Sequence, residues 1–226
     1  MNFLRQQGLV DISKIRDVKV IVIGAGGIGA STVMALAKVG FRNIMVFDDD
    51  IVELHNIPNQ MLPITELGEK KVDALHSIVR VMTGIDISVT TTRFDLEKAN
   101  KFIKNQKALI ISAVDNMESR KEIWDWARNN ANVYWFIDGR MGRETIIVFS
   151  IDFLSPITQT LNYYSNSLFP DEEAEDIPCT ERATIYTTNA VSAIIARNAV
   201  KMCEGTAVAK HIIFNMKALA LLTLTT

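Results

Sequence analysis

Residues 18–23 read VKVIVI, apolar on both faces and rich in β-branched side chains, and the run breaks at once into Gly24-Ala25-Gly26-Gly27-Ile28-Gly29. A strand with no polar face belongs inside a parallel sheet covered by helices on both sides. The glycines permit a tight turn and let backbone N–H groups approach a phosphate at the start of the next helix, where the helix dipole is positive. Strand, turn and helix together restrict the chain to α/β architectures that hold a ligand at the carboxyl ends of their strands.

The alternation continues downstream. Residues 28–39 carry a single charge, Lys38, and predict a largely buried helix capped by Gly40. NIMVF at 43–47 predicts a second buried strand, ending in Asp48-Asp49-Asp50. Val72, Leu75, Val79 and Met82 recur at three- and four-residue steps, the pattern of an amphipathic helix that stops at Gly84 and turns Lys70, Lys71 and Asp73 outward. ISVTTTRF at 87–94 alternates like a half-exposed strand, and ALIISAV at 108–114 is a fully apolar one with Asp115 at its carboxyl end. A helix over 118–130 and two strands near VYWFID and ETIIVFSI follow, the strands close enough in sequence to pair antiparallel. From 155 to 182 the periodicity fades. Pro156, Pro170 and Pro178 surround the acidic run 171–176, which predicts a long mobile crossover loop. A helix bearing Val191, Ile194, Ile195 and Met202 then packs back, and HIIF adds a last strand.

Bulk properties exclude several function classes. At 226 residues and 48% hydrophobic content the chain can bury one sizeable core, so a single domain over 1–226 is expected. A net charge of −2 supplies no broad basic field, and nucleic acid is not an expected partner. The opening MNFLRQQGLVD lacks a signal-type apolar region, and the apolar runs are too short to span a bilayer. A cytoplasmic protein with no membrane partner is expected. Cys179 and Cys203 are isolated, so neither a CxxC zinc pair nor a disulfide framework is available. His55, His76 and His211 share no helical spacing and do not suggest a metal site.

Gly24, Gly26, Gly27 and Gly29 therefore read as a phosphate-binding turn, and Asp48, 19 residues beyond Gly29, is placed to accept hydrogen bonds from a ribose. Those features alone also fit a nicotinamide-dependent oxidoreductase. The stretch DDDIVELHNIPNQ, the later LGEKKVDAL and then SAVDN resemble the ThiF/MoeB/HesA family, the prokaryotic relatives of ubiquitin-activating enzymes. In that family the second strand is followed by roughly D-x-D-x-V-x-x-x-N-L-x-R-Q, into which Asp48, Asp50, Val52, Asn56 and Gln60 fall in step. Gly68, Lys71 and Val72 match its G-x-x-K-V, Val114-Asp115-Asn116 match its T-D-N, and Arg5-Gln6 match its opening R-Q.

The resemblance implies an α/β, Rossmann-like doubly wound sheet, mostly parallel with antiparallel C-terminal strands. It implies an adenylyltransferase using ATP and Mg²⁺ on the C-terminal carboxylate of a small ubiquitin-like or sulfur-carrier protein; the paired CxxC motifs that bind zinc in many members are missing here, so no zinc is expected. Asp115 would hold Mg²⁺, Lys71 would contact the phosphates, and Asp48 would bind ribose. Asp50, Asn56, Asn59 and Gln60 would line the phosphate region. Arg5 would reach into the site of a second copy, which implies a homodimer. Many family members carry a crossover-loop cysteine that takes part in thioester or sulfur-transfer chemistry. Cys179 falls in the corresponding stretch; a small buried anchor for the loop is the other reading. The chain departs from the family at Asn59, where the pattern has arginine, and a neutral amide cannot make a charge-assisted bond to phosphate. Either Arg5 and Lys71 suffice, or another cation such as Arg120, Arg140 or Arg143 has moved in, or the protein is an ATP-binding partner with weakened turnover.

Overall fold

The structure, a computed structural model, describes residues 1–154, 158–170 and 183–224. Its sheet grows in both directions from β1 (Lys19–Ile23). β1 pairs in parallel with β2 (Asn43–Phe47) on one side and β4 (Ala108–Ser112) on the other. β2 leads on to β3 (Ser88–Thr90) and β4 to β5 (Val133–Gly142), again in parallel. β5 then folds back into β6 (Thr145–Asp152), and β7 (His211–Asn215) and β8 (Ala220–Leu224) follow antiparallel. The order is β3-β2-β1-β4-β5-β6-β7-β8. Ile23 stands beside both Phe47 and Ser112, so β1, β2 and β4 end level on one rim.

Residue alternation sorts the strand side chains between two cores. Val20, Val22, Ile44, Val46, Leu109 and Ile111 face the layer formed by α2 (Gly27–Val39), α3 (Lys71–Thr83) and α7 (Ile185–Cys203). The short α1 (Ile12–Ile15) adds the buried Ile15 to the same core. Ile21, Ile23, Phe47, Ile110 and Phe136 face α4 (Leu96–Ile103), α5 (Met117–Arg128) and α6 (Thr158–Ser165). β1 feeds α2 on one face while β4 feeds α5 on the other. The crevice of a doubly wound sheet opens where the chain leaves in opposite directions like this.

The helix stops expected at Gly40 and Gly84 are present, at φ 125° and 73°. The strand expected over 87–94 shrinks to β3, whose three residues form the sheet edge. Besides the short α1, three elements were not anticipated among the described helices and strands. α4 is announced by Asp95, whose side chain accepts from Lys98 N–H at 3.0 Å, with Ala99 and Ile103 buried one turn apart. α6 falls within the stretch expected to be loop, and forms because Leu161 and Tyr164, three residues apart, both drop into the aromatic core. β8 extends β7 with Leu221, Leu222 and Leu224 exposed. The acidic run 171–176 lies outside the described residues. Among the described residues no helix is long and apolar enough to cross a membrane.

Trp124 organises the second core. Its ring lies 5.2 Å from Phe136 and 4.6 Å from Tyr164, and its Nε1 donates to Ser165 Oγ at 3.0 Å, joining α5 to α6. Trp124→Ala is expected to cost about 3–5 kcal/mol in urea unfolding. Val81→Ala, on the exposed face of α3, should stay within about 0.5 kcal/mol.

Candidate functional site

Backbone proximity builds the site first. Gly24 has φ 98°, and a Cβ there would stand 2.6 Å from the Ala113 carbonyl oxygen, so only glycine lets the end of β1 pass the end of β4. A Cβ on Gly29 would come within 1.8 Å of the Gly24 carbonyl, so α2 can start tight against the turn only without one. Gly27 is covered by Thr188 of α7 and by the Asn59 backbone, whereas Gly26 faces open space. Gly26 is the cap residue of α2, and no side chain satisfies the first N–H groups of that helix. An uncapped, positively polarised helix start opening on the crevice suits an anion.

A chain of hydrogen bonds runs from this turn to α3. Ala25 N–H donates to Asp48 Oδ2 at 2.7 Å, and Asp50 N–H donates to Asp48 Oδ1 at 2.8 Å. Asp50 Oδ2 in turn accepts from Lys71 Nζ at 2.6 Å. Burial pushes the Asp48 carboxyl above the usual carboxylate range, against the opposing pull of the two N–H groups and of Lys71. Lys71 is not on the solvated face of α3 as its helical spacing suggested. It is 7% exposed, because the first residue of α3 points back across the strand end toward Asp50. The oxygens of Asp48, Asp49 and Asp50 lie within 4.8 Å of one another. Asp49 faces Arg93 at 3.3 Å and Asp50 faces Lys71, so this cluster is already supplied with positive charge.

The segment after Asp50 closes over α2. Asn56 is buried, and its Oδ1 accepts from Glu53 N–H at 2.9 Å, so its amide oxygen holds the local turn. Asn59 Oδ1 and Gln60 Oε1 are buried without a hydrogen-bond partner. Two orphaned amide groups beside the glycine turn are costly unless a ligand or water meets them. Asp115 is exposed just beyond β4, and its Oδ1 accepts a long 3.4 Å hydrogen bond from Asn116 Nδ2. Asn116, not Asp115, caps α5 by accepting from Ser119 N–H at 2.8 Å, which leaves the Asp115 carboxylate as an oxygen donor suited to Mg²⁺.

Two of the cations offered in place of the family arginine, Arg120 and Arg140, share one buried carboxylate. Arg120 is buried and pairs with Asp138 Oδ1, and it also donates to the Val114 carbonyl. Arg140 Nε donates to Asp138 Oδ2 at 2.6 Å, and its Nη1 donates to the Ser167 carbonyl at 3.0 Å. These interactions tie α5, β5 and the segment after α6 together. Arg143 stands exposed at the turn between β5 and β6, two residues beyond Met141, whose Cε lies 3.5 Å from the Cβ position of Gly27. Arg5 occupies a 3-10 turn (Leu4–Gln6), and its neighbour Gln6 donates from Nε2 to the Val39 carbonyl at 2.8 Å. Val39 ends α2, so Arg5 is tethered roughly 18 Å from the glycine turn of its own chain, the length of that helix. Cys179 lies outside the described residues. Burial pushes the Cys203 thiol up to about 12, which makes it a packing residue and not a nucleophile.

The structure thus brings together Gly24, Gly26, Gly27, Gly29, Asp48, Asp50, Asn59, Gln60 and Lys71, with Asp115 on the same rim. Thr188 and Met141, which close over Gly27, carry no motif and were not anticipated. Asp138 was also missed, although an acid followed two residues later by arginine in an apolar strand is a signal of a buried ion pair.

The chain is similar to known proteins in sequence and in fold. Over 150 residues the chain is 29% identical to ubiquitin-like modifier-activating enzyme 5 of Aedes aegypti, covering 60% of this chain and 37% of that protein. Over 148 residues it is 31% identical to the protein of the same name from Caenorhabditis briggsae, covering 60% of this chain and 34% of that one. The chain therefore spans well under half the length of these relatives. Among solved structures, selenomethionine PaaA matches with a TM-score of 0.73 at 18% identity, covering 95% of this chain and 65% of the other. MccB of E. coli, solved with ATP, matches at 0.67 and 16% identity with the same coverage. At such identities the likeness is one of fold. The family's sequence profile extends over residues 1–225, and the chain belongs to the ThiF family.

Proposed function

We propose that the crevice between β1 and β4 binds ATP with Mg²⁺, and that the protein adenylates the C-terminal carboxylate of a small ubiquitin-like or sulfur-carrier protein. The observation that carries this reading is the continuous chain from Ala25 through Asp48 and Asp50 to the buried Lys71, set beside the uncapped start of α2. A nicotinamide cofactor has no use for a buried lysine beside its pyrophosphate or for a free carboxylate ending β4. In the reaction a carboxylate oxygen of the carrier attacks the α-phosphorus, the bond to the bridging oxygen breaks, and pyrophosphate leaves. The start of α2 and Lys71 take up negative charge that builds on the phosphates. Asp48 accepts from the ribose hydroxyls. Asp115 would hold Mg²⁺, which neutralises the triphosphate and polarises its oxygens. The relatives' names, and the ATP in the MccB structure, favour this chemistry.

Arg5 serves a second copy in this reading, because it is tethered at the far end of α2 from its own site. Weakened turnover is the alternative, favoured by the neutral Asn59, whose buried Oδ1 has no partner where the family pattern has arginine. Exchange of labelled pyrophosphate into ATP in the presence of carrier proteins separates the two. Exchange that disappears in Asp115→Asn supports adenylation. Tight Mg·ATP binding without exchange, together with exchange gained in Asn59→Arg, supports the weakened reading, and a thermal shift with NAD(H) but not with Mg·ATP would remove both.

Two further outcomes are expected. Mixing inactive Arg5→Ala and Lys71→Ala proteins should restore about a quarter of the wild-type exchange, since random pairing leaves one intact site in each mixed dimer. Adenosine and Mg·ATP should both bind more weakly as pH falls, because protonated Asp48 no longer accepts from the ribose with both oxygens. Since burial raises the Asp48 pKa, calorimetry should show that loss beginning above the ordinary carboxylate range, and Asp48→Asn should abolish the dependence.

A further inference from the structure

The end of the sheet opposite the glycine turn carries its own concave feature. A cavity of about 480 Å³ lies where β1, β2 and β3 begin, about 16 Å from the turn along β1, with α4 as its wall. Lys19, Arg42, Lys98, Lys101 and Lys104 line it, and its one carboxylate is Asp86. That carboxylate is already engaged by His76 Nε2 at 2.6 Å. Lys98 meets Asp95 only at 3.7 Å on the surface, a pairing of little strength. So dense a positive rim on a chain of net charge −2 is a local field, not a reflection of bulk composition.

Helix stabilisation does not account for all of it. Lys101 and Lys104 sit at the carboxyl end of α4, where cations suit the dipole, but Lys19 and Arg42 come from the strand side of the cavity. Lys98 and Lys101 lie three residues apart on α4, about 4.5 Å of helix rise, and Lys104 continues the row just past the helix end. Such a row on flexible stems matches charges strung along an extended chain, whereas a compact phosphate calls for convergent donors and bidentate forks. Between the cations the lining is apolar only at the edge of Met45 of β2 and at the ring of Phe102. The Lys19 ammonium stands 4.7 Å above that ring, so the aromatic of the groove is covered and offers no platform on which nucleic-acid bases stack.

We infer that this groove docks an acidic peptide segment of a partner protein. Its carboxylates run along Lys98, Lys101 and Lys104 and meet Lys19 and Arg42 on the strand side. The contact is independent of the nucleotide crevice. It is tested by fluorescence anisotropy at low ionic strength with a labelled synthetic peptide of Asp and Glu interspersed with Gly and Ser, against the same peptide carrying Asn and Gln. Saturable, salt-sensitive binding of the acidic peptide alone is expected, weakened about tenfold by Lys98→Glu with Lys101→Glu. The Lys98→Arg, Lys101→Arg protein should retain it, and unchanged thermal midpoints confirm that the variants are folded. No binding, or binding indifferent to the charge reversal, overturns the inference. So does tighter binding of an oligouridine of equal charge, which makes the groove a nucleic-acid site. A gain in peptide affinity when residues 171–176 are neutralised to Asn and Gln also overturns it, since the groove then belongs to the chain's own acidic run.

Discussion

The fold hinges on the close passage of two backbones. At Gly24 the chain leaving β1 runs so near the Ala113 carbonyl that one methyl group would fill the gap, and at Gly29 the first turn of α2 lies against Gly24 in the same way. These contacts hold β1 and β4 level and leave the start of α2 uncapped between them. A side chain at either position would push the helix outward and separate its N–H groups from the acid that ends β2. Sheet geometry and anion affinity therefore depend on the same missing atoms.

A second constraint works from beneath the rim. Asp138 is wholly buried on β5 and lies between the guanidinium groups of Arg120 and Arg140. Isolated, a charge at that depth would be prohibitive; with two partners it becomes a joint among α5, β5 and the residues after α6, and removing one partner costs about 3–5 kcal/mol. Arg120 also grips the carbonyl of Val114, the residue before Asp115. The ion pair thereby sets where the rim carboxylate emerges, although none of its members faces the crevice. Arg140 lies 4.8 Å over the ring of Phe149, so its charge is sheltered by aromatic surface as well as paired.

Much of this was legible before any coordinates. VKVIVI followed by glycines, NIMVF ending in acids and ALIISAV ending in Asp115 each announce a buried strand and its polar carboxyl end. What escaped depends on contacts distant in sequence. The depth of Lys71 follows from its facing Asp50, 21 residues earlier, which helical spacing cannot reveal. The commitment of Arg120 depends on Asp138, 18 residues later. α6 was hidden by the prolines around it, because its apolar residues are few and gain their value only against Trp124 and Phe136. The orphaned amides of Asn59 and Gln60 were recognisable as positions in a motif, but their lack of partners is a property of packing alone.

The burial of Cys203 has a practical corollary. This thiol is pushed up to about 12, so its thiolate, the form that attacks electrophiles, is scarce at neutral pH. Alkylation of the folded protein near neutrality therefore spares Cys203. A fluorophore or spin probe aimed at another sulfhydryl meets little competition from this one.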